Sequence, residues 1–155
     1  MSNLLFHDNN SLMKKIIVYT HADCLLKNNG PNHPERKERL KSILNSIQEI
    51  KTIDIDIRQA PLADMDIISL VHPEQYIKNI FSLIPSDGLV GMEKEPYADT
   101  LLCPNSRNAI LRSCGAGIAG ANDLLYEKEN RIFCAIRPPG HHAETNRANG
   151  FCFIN

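Results

Sequence analysis

Apolar and polar positions along the chain fall into short patterned blocks. Residues 14–20 read KKIIVYT, and four β-prone residues in a row predict a buried strand, the first of a sheet. Loop residues follow from His21 to His33. Leu40, Ile43, Leu44 and Ile47 then recur at helical spacing, which predicts a helix over about 34–49. Asn32 and Glu35 have capping-box spacing, and Pro34 falls in the expected first turn. Ile53, Ile55 and Ile57 alternate with Asp54, Asp56 and Arg58, the signature of a half-buried strand near a sheet edge.

Two short helices are predicted over about 64–71 and 73–83, with Val71, Ile77, Ile80 and Phe81 as core contacts. Residues 85–104 read as a long loop, a length that is often functional in compact domains. The longest predicted helix is 106–126. Its glycines and alanines between 115 and 121 lower helix propensity, and suit a backbone lying close against a neighbour. RIFCAIR (131–137) reads as a strand buried on both faces and central in the sheet, and FCFI (151–154) as the start of another. Strands alternating with helices predict an α/β domain on a mostly parallel sheet, with no internal repeat and no dividing linker.

Composition narrows the function classes. The chain has 155 residues, 43% of them hydrophobic, and a net charge of -1, which excludes disorder as the main state. That charge also argues against nucleic acid as a partner. The polar N-terminus lacks a signal-peptide core, and no uncharged run reaches the length of a membrane span, so the expected compartment is the cytoplasm and no membrane partner is expected. The 5 cysteines, Cys24, Cys103, Cys114, Cys134 and Cys152, form no C-x-x-C pair and read as small buried hydrophobes.

One stretch is dense in chemical groups: RPPGHHAETNRANGFCF, residues 137–153. It lies between two predicted strands, where loops at a sheet end build sites. Two prolines stiffen it, a glycine follows, and then come His141 and His142. Adjacent histidines are poor chelators of one metal without further ligands. They suit acid–base work, because ordinary imidazoles titrate near neutrality and a pair can hold one neutral and one charged ring. Amide hydrolysis needs both: a base for water and an acid for the leaving amine. The bland reading is two loop histidines bonded locally. His33 and His72 stand in His-Pro pairs at helix boundaries and read as structural. Asp54 and Asp56 read as a solvated strand face.

RPPGHHA followed by GFCFIN resembles the catalytic segment of the histone deacetylase and acetylpolyamine amidohydrolase family, in its class II-like bacterial branch. HPERKERL (33–40), VHPEQYI (71–77), and Asp99, Thr100 and Ser106 before the Gly-Ala-rich helix resemble other family segments in the same order. The resemblance implies an arginase-deacetylase-like fold and a zinc-dependent hydrolase that removes acetyl or a similar acyl group from a lysine-like or polyamine amine. It implies His142 as general base and then acid, and His141 as its electrostatic partner. Gly150 matches the carbonyl that accepts the substrate amide N–H, and Phe151 an aromatic wall around the acyl-lysine stem. Asp99 matches a rim aspartate, with Asp87 as the alternative. Arg39 matches an arginine lining an internal channel.

The family's zinc ligands, an Asp-x-His pair and a later Asp, lie downstream of the G-F-C-F block, and this chain contains none of them. The sequence therefore reads as the N-terminal portion (1–155) of a single deacetylase-like domain, incomplete at the C-terminus. The alternative is a catalytically inactive remnant or binding module that lacks the metal site. A binuclear-metal hydrolase of the arginase-like fold is a third reading, which the R-P-P-G-H-H block opposes. Substrate identity and oligomeric state are not legible in the sequence.

Overall fold

The computed structural model describes residues 15–92, 98–126 and 131–155. In chain order these form β1 (Lys15–Thr20), α1 (Asp23–Leu26), α2 (Lys37–Glu49), β2 (Asp54–Gln59), α3 (Met65–Ile68), α4 (Glu74–Ser82), β3 (Val90–Gly91), β4 (Leu101–Leu102), α5 (Ser106–Tyr126) and β5 (Ile132–Cys134). β2, β1 and β5 make a parallel sheet in that order, with Val18 aligned to Ile57 on one side and Phe133 on the other.

Alternation along β1 sorts its side chains between two faces. Ile17 and Tyr19 pack with Ala60 and Ala116 on the α5 side. Val18 packs with Cys24, Leu40 and Ala135 on the α2 side, joined by Leu44 and Ile47. The result is an α/β sandwich of helices around a parallel sheet, the fold class the pattern predicts. α5 lies close enough to its neighbours that a Cβ at Gly115 would fall 2.0 Å from the Pro61 carbonyl oxygen, and one at Gly120 2.6 Å from Ile132 Cγ2. This accounts for Gly115 and Gly120 within the low-propensity run of a long helix.

A third cluster lies under the loops. Ile68, Ile77, Ile80, Leu102, Ile110 and Phe153 are all buried there. No helix among the described residues is long and apolar enough to cross a membrane.

Several expectations change. β1, not the 131–137 segment, is the middle strand. β5 spans only three residues at an edge, and Phe133 is 45% exposed. The ladder stops because the Ala135 N–H makes the last bond, to the Tyr19 carbonyl, and Arg137 then turns into the interior. The FCFI stretch is not a strand. Asn149 and Cys152 exchange backbone bonds of 3.0 and 2.9 Å across a tight turn, with Phe151 at φ +70.

α2 begins at Lys37, with Arg36 as an N-cap that makes no side-chain bond. Asn32 sits at φ +62, and Glu35 is drawn into an ion pair elsewhere, so no capping box forms. α3 ends at Ile68, which leaves Val71 53% exposed and puts His72 in the interior instead. Between 85 and 104 the chain forms the short antiparallel pair β3–β4, and 93–97 lie outside the described residues. Asp56 is paired with Arg58 and Lys15 rather than simply solvated.

Candidate active site

The segment after β5 returns along the end of the sheet and carries the histidine pair. Its root is Arg137, 3% exposed, with all five N–H donors used. Nε and Nη2 grip the Glu35 carboxylate at 2.6 and 2.9 Å, and Nη2 also reaches the Glu35 carbonyl at 3.4 Å. Nη1 donates to the carbonyls of Cys24 and Lys27 at 2.9 and 2.6 Å. A buried charge needs such a fork-shaped partner to offset its desolvation. Glu35 is equally buried and also accepts from Asn29 Nδ2 at 2.6 Å.

Lys27 lies in the same cluster and is 2% exposed. Its ammonium donates to Asn29 Oδ1 and, at 2.9 Å, to the Leu101 carbonyl, and sits 5.3 Å from the centre of the Phe153 ring. Burial pulls its pKa down to about 8, opposed by the attraction of Glu35. The Glu35 carboxylate is itself already bound to Arg137.

Beyond Arg137 the chain turns at Gly140, whose carbonyl accepts the Ala143 N–H at 2.9 Å. His141 and His142 stand exposed on this turn, ring centres 4.3 Å apart and tilted by 56°. Gly150, at φ +53, presses on the second ring: a Cβ there would lie 2.9 Å from His142 Cδ2. Phe151 adopts left-handed backbone, costly for a non-glycine residue. Its N–H donates to Thr100 Oγ1 at 3.1 Å, and its ring meets His33 edge-on at 4.8 Å between centres.

The far end of the segment is tied down by backbone bonds to the side chains of His72, which is buried, and Tyr76, which is partly buried. His72, 1% exposed, donates from Nδ1 to the Thr145 carbonyl and accepts the Asn155 N–H at Nε2, both at 2.9 Å. The Tyr76 hydroxyl donates to the Phe153 carbonyl at 2.7 Å.

Of the residues singled out by sequence, His141, His142, Gly150, Phe151 and Arg39 line one cavity of about 310 Å³. Asp99 does not line it. It is exposed and reaches the cavity indirectly: its carbonyl accepts from His33 Nε2 at 3.0 Å, whose ring touches Phe151, and its carboxylate accepts at 3.0 Å from Thr100 Oγ1, which holds the Phe151 N–H. Glu35 and Arg137 also line the cavity. Both lie in the segments that resemble the family, HPERKERL and RPPGHHA, but sequence reasoning gave neither a place in the site.

Among the described residues, no three His, Cys, Asp or Glu side chains come together to hold a metal. The two exposed imidazoles supply too few donors for the zinc that the resemblance implies. The described residues do not fit that ion.

The histone deacetylase domain family matches residues 33–155. A probable deacetylase from Archaeoglobus fulgidus is 28% identical over 89% of this chain and 38% of its own length. A histone deacetylase-like amidohydrolase from Pseudomonas aeruginosa is 32% identical over 78% of this chain and 30% of its own. The crystal structure of the HDA15 HD domain superposes with a TM-score of 0.77 at 24% identity, covering 90% of this chain and 41% of that one. The chain thus spans well under half the length of these relatives. With the family matched from the His-Pro-Glu turn through the histidine-bearing loop, the chain belongs to the histone deacetylase domain family.

Proposed function

We propose that this chain carries the histidine-bearing part of an amide hydrolase that removes an acetyl or similar acyl group from a lysine-like or polyamine amine. The observation that carries this reading is the shared cavity, which gathers His141, His142, Gly150, Phe151 and Arg39. In this reading His142 takes a proton from water and returns it to the departing amine. His141, its ring 4.3 Å away, is the electrostatic partner, stabilising the negative charge that develops on the attacked amide. The Gly150 carbonyl accepts the substrate amide N–H, Phe151 flanks the acyl-bearing stem, Asp99 meets the substrate at the rim, and Arg39 lines the inner channel. Residues 1–155 then correspond to the N-terminal portion of one deacetylase domain, consistent with matches that span only part of longer relatives. The family's zinc would supply a Lewis acid and an activated water.

A second reading is a binding module without turnover, favoured by the lack of a three-donor cluster among the described residues. Both are tested by titrating the chain with N-acetyl-lysine methylamide while following histidine ring and Phe151 signals by NMR, and then assaying hydrolysis with zinc added. Perturbation at His141, His142 and Phe151, absent with unacetylated lysine methylamide, is the expected result. Equal response to both compounds, or none, overturns the assignment of the cavity. No turnover by the 155-residue chain is expected; measurable turnover eliminates the binding-module reading.

A further inference from the structure

We infer that Glu35 and Arg137 are positioning residues for the histidine pair: their buried fork sets where His142 stands against Gly150. The inference rests on reading His141 and His142 as the acid–base pair. It starts from an imbalance in how the two histidines are held. Both rings are exposed and face each other, the second against Gly150. The backbone that carries them is held beyond the pair at Ala143, whose carbonyl accepts from Asn155 Nδ2 at 3.2 Å, and before the pair it leaves the sheet at Arg137. There the side chain makes five bonds, all to residues 24–35 and none to the sheet.

The ion pair is 97% buried on both sides and spans 102 positions of sequence. It welds the root of the histidine loop to the turn that leads into α2, the helix that brings Arg39 to the same cavity. A buried pair is weak evidence for stability, since well-packed apolar groups often replace one without loss. A forked arginine does fix geometry, through two parallel charge-assisted bonds that a lysine cannot make. Pro138 and Pro139 then carry that fixed direction into Gly140 and the rings, because each restricts its own φ.

The test separates geometry from stability. In the intact chain, Arg137→Lys keeps the charge but loses the fork. Glu35→Leu with Arg137→Met removes both charges while filling the space. The readouts are the NOE between the His142 Hδ2 and Gly150 Hα protons, the NOE between the two histidine rings, and the melting temperature. The His72–Asn155 bond, followed through the Asn155 amide, is the control. The expected result is loss of the His142–Gly150 NOE in both variants, with the Asn155 amide unmoved and the doubly substituted chain melting no lower than wild type. Retention of that NOE in either folded variant overturns the inference. So does its loss together with the Asn155 contact, or failure of both variants to fold, because the pair would then be a stability element. The readout needs no bound ligand or turnover, so a chain that ignores acetyl-lysine would sink the functional reading and leave this one standing.

Discussion

The sheet layer and the loop layer of this molecule are held by different physics. β1 and its neighbours are secured by apolar burial: Ile17 and Val18 are 0% and 2% exposed on opposite faces, and each contact is one of many. The segment from Arg137 to Asn155 buries Ala148, Phe153 and Ile154 in the cluster under the loops. Its turns, which form no regular ladder, are secured in addition by single polar bonds over long sequence distances, such as Arg137 to Glu35, Asn155 to His72 and Phe151 to Thr100. A layer built on many small contacts loses stability gradually when one is trimmed. A layer built on a few buried polar anchors loses much at once, because the abandoned partner is left charged or unpaired in the interior.

The largest expected effect follows directly. Glu35→Leu alone leaves the Arg137 guanidinium buried without its counter-charge, and should destabilise the chain by about 3–5 kcal/mol. Chemical denaturation of the variant checks this. A loss below about 1 kcal/mol, the ordinary worth of an exposed pair, would break the contrast between the layers.

This contrast also explains what was legible in the sequence. α5 starts at the predicted Ser106 and is helical through Tyr126, the last residue described before 131, because helical periodicity is a local property. β1 and the alternating β2 are legible for the same reason. The position of β5 was not, since strand order depends on which segments the fold brings together. Phe151–Ile154 looked like a strand because apolar runs signal burial, and burial is correct for Cys152, Phe153 and Ile154. The extended shape was wrong: the Asn149–Cys152 turn takes Phe151 to positive φ. Glu35 carried a plausible local explanation as a capping residue, and its actual partner lies 102 positions away. The histidine pair, Gly150 and Phe151 stood out through their motif. Glu35 and Arg137 lie in the same family-like segments, but no spacing in the sequence reveals that they pair with each other.

The next effect sharpens the same point through pH. Lys27 belongs to the loop layer's anchor cluster, and its pKa falls from 10.5 to about 8 on burial. Between those values the unfolded chain binds more protons than the folded one, so this group makes stability rise with pH across that window. Below about pH 8 the buried ammonium is a standing cost, of order 3 kcal/mol from the size of the shift. Other groups oppose it: burial pushes the Cys114 thiol up to about 11 and the Tyr76 phenol to about 12, and raised acids lose stability as pH climbs. The difference between wild type and Lys27→Met isolates the lysine. The advantage of the variant should be greatest near pH 7 and shrink toward pH 10.5, as measured by urea unfolding at each pH. A difference that stays flat would mean that Lys27 binds its proton equally well in the folded and unfolded chains, so that burial does not lower its pKa.

The smallest effect compares two glycines two positions apart in α5. A methyl group at Gly115 would fall 2.0 Å from the backbone oxygen of Pro61, an atom that no rotamer change can move aside. Gly115→Ala should therefore destabilise by about 1–3 kcal/mol, the usual range for overpacking a tight contact. Gly117 is exposed and has nothing within 4 Å of the same ideal position. Gly117→Ala should stabilise by roughly 0.5–1 kcal/mol, from helix propensity and a less entropic unfolded chain. Opposite signs in thermal melts of the two variants would show that the sheet layer's close packing is local to the helix face against 60–63. Matching signs would mean that α5 can shift on the sheet to absorb a methyl group. The apolar layer would then be looser than the polar anchors of the loop beside it, and the contrast between the two would reverse.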